Sequence, residues 1–431
     1  MAPSTTPKLT LVEGARRFPC TGGLSLPPLA VGHGLRGLRR NHPNGPHRTR
    51  CRSRTLDGLG FERRGPIRTS LKERLSVRNH RPIAGVERPR TSRRDDLVSA
   101  LLSAWLVIGL FVDGWAHNNL EAIETFLTPW HAMLYSGYAA TAVWMGWLAL
   151  REVRRGSSLP AAIPVGYGLG VLGAAMFAAA GAADFVWHRM LGVEVSLEAL
   201  LSPPHLVLFA AGLLMATTPF RSAWSSSDLR TVSWGRFLPA LLSITLTAAA
   251  VAFFFQYVSA FLSRFATAPD AVSVVRLPGG YVTPETSRII GILSVLVTNL
   301  ILMAPMLLIL RRWAPPFGSM TFLFTAVAAM MASQHQFEVA ITVLAAVAGG
   351  LTADVLIARL RPAPSHPGAE RLVAVIVPVV MWTAYFLVLD LQFGVPWVSE
   401  LWGGTIVLAA LSGYALSLLM TPPVSGAEPG A

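Results

Sequence analysis

Two short runs of this 431-residue sequence carry residue types that bind metal ions, at a spacing that suits binding. "DGWAH" (113 to 117) and "DFVWH" (184 to 188) each set an Asp and a His four residues apart, which a helix places on one face a single turn apart. Each run is followed by an octet of the same build, "ETFLTPWH" (124 to 131) and "EALLSPPH" (198 to 205), that ends in a second His. Proline suits the first turn of a helix, whose amides lack intrahelical partners, and Thr128 and Ser202 stand just before the prolines as natural N-caps. The unit is therefore a helix, an Asp-x-x-x-His, a connection, and a proline-initiated helix bearing His131 or His205. Two imidazoles and one carboxylate make a facial ligand set suited to copper, zinc, iron or nickel, with positions left open for water, oxygen or substrate. The metal ligands expected are Asp113, His117 and His131 in one copy and Asp184, His188 and His205 in the other. The competing reading is structural, a carboxylate–imidazole hydrogen bond closing each helix end, since duplication copies structural features as faithfully as functional ones.

These residues need elements to hold them, and composition says which. Half of the residues (52%) are apolar, only 14% are charged, and apolar runs of about 20 residues, enough to cross a hydrocarbon core of roughly 30 Å, recur from residue 96 onward. The fold class expected is all-α: a polytopic membrane helix bundle of ten spans, at 96-116, 126-150, 160-185, 203-219, 237-262, 288-311, 317-335, 338-359, 371-391 and 401-420. The first four form an internal helical-hairpin repeat, with copies at about 96-150 and 160-219. Arg93 and Arg94 precede span one, and Arg151, Arg154, Arg155, Arg221, Arg230, Arg311, Arg312, Arg359 and Arg361 follow the even-numbered spans two to eight. Basic residues mark the cytoplasmic side, so both termini are expected in the cytoplasm of a multi-pass cell-membrane protein, with all six candidate ligands toward the extracytoplasmic leaflet.

The formal charge of +13 would normally point to nucleic acid or anionic lipid, but its location decides otherwise. Residues 1-94 hold 19 Arg and 2 Lys against 5 acids, a net of +16, which leaves the membrane domain, 95-431, at −3. The 1-94 stretch lacks Trp and Tyr and has no apolar periodicity, so it reads as a disordered Arg-rich tail. Three origins compete for it: a tail for anionic lipid, a targeting peptide without the usual apolar core, or a stretch upstream of a true start near Val77 or Val86. Both cysteines, Cys20 and Cys51, lie there, so the membrane domain has neither a disulfide nor a thiolate ligand.

Other polar residues fall on the same face of the bundle. Glu124 and Glu198 are candidates to orient a ligand histidine from behind, and His335, Glu338 and Asp390 are further candidates to support a site. The Trp residues near span ends, including Trp115, Trp130, Trp187, Trp397 and Trp402, read as an interfacial belt, and "GYGLGVLGAA" (166 to 175) as close helix packing rather than a phosphate loop.

Asp-x-x-Trp-His followed by Thr/Ser-Pro-x-His resembles the metal-binding signature in the C subunit of the copper membrane monooxygenases, the particulate methane and ammonia monooxygenases. The second copy keeps the Asp-x-x-Trp-His spelling (Asp184, Trp187, His188), and the first keeps Thr-Pro-x-His (Thr128, Pro129, His131) but has its Trp at 115. The resemblance implies copper bound within the membrane by Asp113, His117 and His131 and by Asp184, His188 and His205. It spans some twenty residues per copy and none of spans five to ten; that subunit has the signature once and works beside two others, whereas this chain has it twice.

Three functions fit these observations: a copper (or other transition-metal) membrane oxidoreductase; a metal-handling transporter or scaffold, which the apolar character of spans six, eight and ten disfavours; and a zinc-type membrane hydrolase with Glu124 or Glu198 as general base. Copper is the expected cofactor, with zinc or iron as alternatives. The partners expected are the lipid bilayer and either partner subunits or further copies of the chain, not nucleic acid. No residue is assigned a catalytic role.

Overall fold

A computed structural model of the chain describes residues 88–120, 128–192, 197–226, 230–262, 264 and 284–420. The Arg-rich stretch through residue 87, with both cysteines and the start positions considered above, lies outside the described residues. The described chain is all-helical: α1 (Arg93–Asn119), α2 (Pro129–Arg154), the short α3 (Leu159–Ala162), α4 (Gly168–Leu191), the short α5 (Leu197–Leu201), α6 (Pro203–Ala216), α7 (Thr218–Ser225), α8 (Trp234–Phe254), α9 (Pro284–Arg312), α10 (Ser319–Ser333), α11 (Val343–Leu360), α12 (Pro367–Phe393) and α13 (Ser399–Met420).

Among the described residues, eight helical stretches are long and apolar enough to cross a membrane: Arg93–Asn119, Gly168–Leu191, Pro203–Ser225, Trp234–Phe254, Thr286–Arg312, Ala340–Leu360, Pro367–Phe393 and Ser399–Met420. The other two expected spans also exist as helices, with physical reasons for falling outside that set. α2 has 26 residues but is laced with Trp, Tyr and Ser, and α10 has only 15 residues, short of the roughly 20 that a perpendicular crossing takes.

α1 pairs with α2 and α4 with α6, and the two pairs meet through α1 on α6 and α2 on α4. Their shared core holds Leu106, Leu134, Met145, Tyr167, Phe177, Leu208 and Met215. α8 is the most enclosed helix and joins this group to the rest: it packs on α1 and α6 on one side and on α9 and α10 on the other. In the second half, successive helices α10 to α13 pack on one another and α13 closes back on α9.

Glycines set how closely the hairpin helices approach. A β-carbon at Gly109 of α1 would lie 2.7 Å from the Leu134 Cα, and one at Gly137 of α2 would lie 2.7 Å from the Leu106 Cα, so each helix backs onto the other's main chain. In the second pair, a β-carbon at Gly173 would lie 2.7 Å from the Ala211 carbonyl oxygen. Small residues allow such contact where lipid offers no hydrophobic drive between helices. At the far end of the first pair, Arg151 donates to both carboxylate oxygens of Asp95, at 3.1 and 3.2 Å. α10 begins after Gly318, which has no side chain to cap it. Asp354 of α11 does so instead, accepting from Met320 N, Thr321 N and Thr321 Oγ1.

Gly137→Ala is expected to destabilise the detergent-solubilised protein by about 1–3 kcal/mol, through overpacking against the Leu106 backbone. Gly146→Ala on the same helix meets nothing within 4 Å and is expected to leave the unfolding temperature unchanged. Differential scanning fluorimetry of the two variants reads the difference, and equal stability would refute the close crossing.

Candidate metal centre

In the first pair, Asp113 and His117 occupy adjacent turns near the end of α1, and Thr128 and Pro129 start α2 so that His131 lies in its first turn. His131 Nε2 is 3.6 Å from Asp113 Oδ1, and the His117 and His131 rings meet edge to face with centroids 5.5 Å apart. In the second pair, His188 Nε2 and His205 Nε2 lie 3.4 and 3.6 Å from the same oxygen, Asp184 Oδ1, and the two rings stand 5.8 Å apart. In each set, one ligand atom from each of the three residues lies within 4.8 Å of the other two, so both groups can hold a metal ion. Two ligands about 2.1 Å from a tetrahedral ion sit roughly 3.4 Å apart, close to the nitrogen–oxygen separations seen here. Within one helix, His188 Nε2 at 3.4 Å from Asp184 Oδ1 fits the competing structural reading as a long contact, whereas the imidazoles that reach across from the partner helix, at 3.6 Å, lie beyond hydrogen-bond distance.

Asp113 is 9% exposed, and its Oδ1 is buried with no hydrogen-bond donor. A charged carboxylate in that state is costly in an apolar helix, a cost that either a proton or a bound cation removes. Asp184 is more deeply buried, at 2%.

The imidazoles are oriented from behind by groups close in sequence. His131 Nδ1 lies 2.9 Å from Thr128 Oγ1, and His205 Nδ1 lies 2.6 Å from Ser202 Oγ. Thr128 also caps α2 as expected, accepting from His131 N at 3.2 Å, whereas the Ser202 hydroxyl makes no cap bond and serves the imidazole. A hydroxyl can donate or accept, so it holds the ring whether Nε2 carries a proton or a metal. His188 Nδ1 faces the Gly192 carbonyl at 3.2 Å. A carbonyl only accepts, so the neutral ring carries its proton on Nδ1 and turns the Nε2 lone pair toward Asp184. Gly192, at φ +88, ends α4 in a conformation that glycine adopts without strain.

The end of α1 is pinned by a network of amides. Asn118 Nδ2 donates to Gln256 Oε1 at 2.9 Å, Gln334 Nε2 donates to the Phe111 carbonyl at 2.9 Å, and Asn119 Nδ2 donates to the Gln334 carbonyl at 2.9 Å. Gln336 Nε2 adds a bond to Asn119 Oδ1 at 3.0 Å. Gly114, beside Asp113, backs onto Phe253 so closely that no β-carbon fits.

The remaining expected residues fall elsewhere. Glu124 lies outside the described residues, and Glu198 belongs to α5, with its side chain likewise outside the description. Glu338 pairs with Arg264 at 2.7 Å, and the Arg264 guanidinium lies over the Phe393 ring. His335, in the turn after α10, has its pKa pushed down by burial, an effect that Glu338 opposes. The neighbours of His335, Gln334 and Gln336, are the residues that reach α1. Asp390 accepts from Val395 N at 3.0 Å and secures the end of α12. Of the expected tryptophan belt, Trp115 and Trp130 pack edge to face beside the first triad, while Trp397 is buried against Phe386.

No protein-family model, curated protein or solved structure matches the chain. The site itself offers two sets of nitrogen and oxygen donors, each one carboxylate and two imidazoles, at helix ends.

Removing a hydroxyl that orients a ligand should weaken metal binding without unfolding the helices. Thr128→Val and Ser202→Ala are each expected to lower metal affinity about 10–100-fold, as measured by competition with a chromogenic chelator. Wild-type affinity in both variants would show that the hydroxyls do not hold the imidazoles for a metal.

Proposed function

We propose that the protein is a copper-dependent membrane oxidoreductase that holds its metal on Asp113, His117 and His131 and on Asp184, His188 and His205. In this reading the chain crosses the cell membrane ten times, α2 and α10 included. The first four long helices form two repeated hairpins, both termini are cytoplasmic, and the triads lie toward the extracytoplasmic surface. The arginines at the opposite end of the first hairpin, Arg151 with Asp95 among them, support that orientation.

The observation that carries the proposal is the buried Asp113 Oδ1, which has no hydrogen-bond donor and faces the His131 imidazole, with an equivalent convergence of three ligands at Asp184. Copper is favoured on chemical grounds. The ligands are imidazole and carboxylate with no thiolate, and for such sites affinity among divalent first-row metals peaks at Cu(II). Three protein ligands leave positions open for water, oxygen or substrate, as an oxidoreductase needs, and the likeness to the C subunit of the copper membrane monooxygenases points the same way. The apolar helix faces meet lipid, and a partner subunit or second copy would join through them.

The full chain, purified in detergent from copper-replete cells, is expected to carry one or two equivalents of copper by plasma mass spectrometry. That copper should give a Cu(II) spin-resonance signal that ascorbate abolishes and air restores. The His131→Ala/His205→Ala double variant is expected to lose the metal. Metal-free protein in both preparations would withdraw the proposal, and zinc without any redox signal would replace it with metal-assisted hydrolysis.

A further inference from the structure

The two triads lie on hairpins that the fold packs against each other. α1 meets α6 and α2 meets α4, so each hairpin touches the other through the same pair of elements, as a two-fold exchange of the hairpins requires. Both triads have a member on that contact: His131 opens α2, and Asp184 and His188 close α4.

Tyr135 stands where the hairpins meet. It lies one turn after His131 on α2, its ring meets Phe177 of α4 edge to face, and a β-carbon at Gly181 of α4 would be 3.2 Å from its Cε1 and 3.5 Å from its hydroxyl. Gly181 is three residues before Asp184, so Tyr135 stands about one helical turn from His131 on its own helix and beside the turn that leads to Asp184 on the other. The repeat is broken at this point: the residue four after His205 is Phe209, stacked on Phe254 at 4.1 Å. The second hairpin therefore carries no phenol at the matching position.

We propose that the two triads form a single two-ion centre that holds a small anion between its metals, with the Tyr135 phenol donating a hydrogen bond to that anion. This rests on the metal binding proposed above. Charge demands an anion there. Two divalent ions against two carboxylates leave two positive charges uncompensated in a region of low dielectric, where an unpaired charge is costly. The phenol is a suitable donor to an anion.

The test strips the full-length protein of metal, returns Cu(II) stepwise, and follows spin resonance together with the binding of azide as the anion probe. The second equivalent is expected to bind about tenfold more weakly than the first, by repulsion between like-charged sites. Its arrival should produce spin coupling, seen as a half-field line or as signal intensity below the copper content. Asp113→Asn, and separately Asp184→Asn, should each remove one equivalent and leave the other uncoupled. Tyr135→Phe should keep both equivalents and their coupling while weakening azide about tenfold, the loss of one hydrogen bond to a charged group. Two equal, uncoupled copper signals would overturn the single centre while leaving metal binding intact. Unchanged azide affinity in Tyr135→Phe would overturn the role of the phenol. Failure of the wild-type chain to bind copper would overturn this inference and the proposed function together.

Discussion

A carboxylate buried near the end of an apolar helix has to be neutralised, and the architecture of the first four long helices follows from that need. Asp113 and Asp184 are each almost wholly enclosed, and an isolated charge at such depth costs several kcal/mol. The chain answers by bringing two imidazoles to each carboxylate, one from the next turn of the same helix and one from the start of the partner helix. An imidazole is a weak partner when neutral. With its Nδ1 held by a hydroxyl or a carbonyl, it becomes a directed ligand whose Nε2 faces the carboxylate.

The rest of the fold keeps that geometry rigid. Gly109 and Gly137 let α1 and α2 cross backbone to backbone, which fixes the distance between Asp113 and His131. At the other end, the Arg151–Asp95 pair joins the two helices. The amide network from Asn118 and Asn119 to Gln256 and Gln334 ties the tip of α1 to the ends of α8 and α10, so the second half of the protein acts as the wall against which the site is built. Amides suit that wall, because they satisfy one another's hydrogen bonds without adding charge beside the triads.

Much of the site was legible in the sequence because its parts are local. Asp-x-x-x-His works through the helical period, and Thr/Ser-Pro-x-His through helix initiation; both are short-range rules. The long apolar helices were equally plain. α2 and α10 are the less typical of the expected spans, one because it carries aromatic and hydroxyl side chains and the other because it is short. What could not be read are contacts across long separations: Gln334 reaches Phe111 over 223 residues, and the meeting of the hairpins at Tyr135 depends on how four helices pack. The hydroxyls of Thr128 and Ser202 were visible as helix caps, but their grip on the imidazoles requires rotamers that spacing alone does not specify. His335 was a candidate to support the site, but its flanking residues Gln334 and Gln336, which were not singled out in the sequence, are the ones that reach α1 from the turn after α10.

If the triads hold copper, imidazole nitrogen and carboxylate oxygen are its protein ligands. X-ray absorption at the copper edge of the metal-loaded full chain reads those atoms. The expected spectrum has a first shell of nitrogen and oxygen alone at about 2.0 Å, with the outer-shell scattering of two imidazoles per copper. A first shell containing sulfur, from the chain's methionines or cysteines, or a spectrum without imidazole scattering, would place the metal elsewhere and contradict that ligand set.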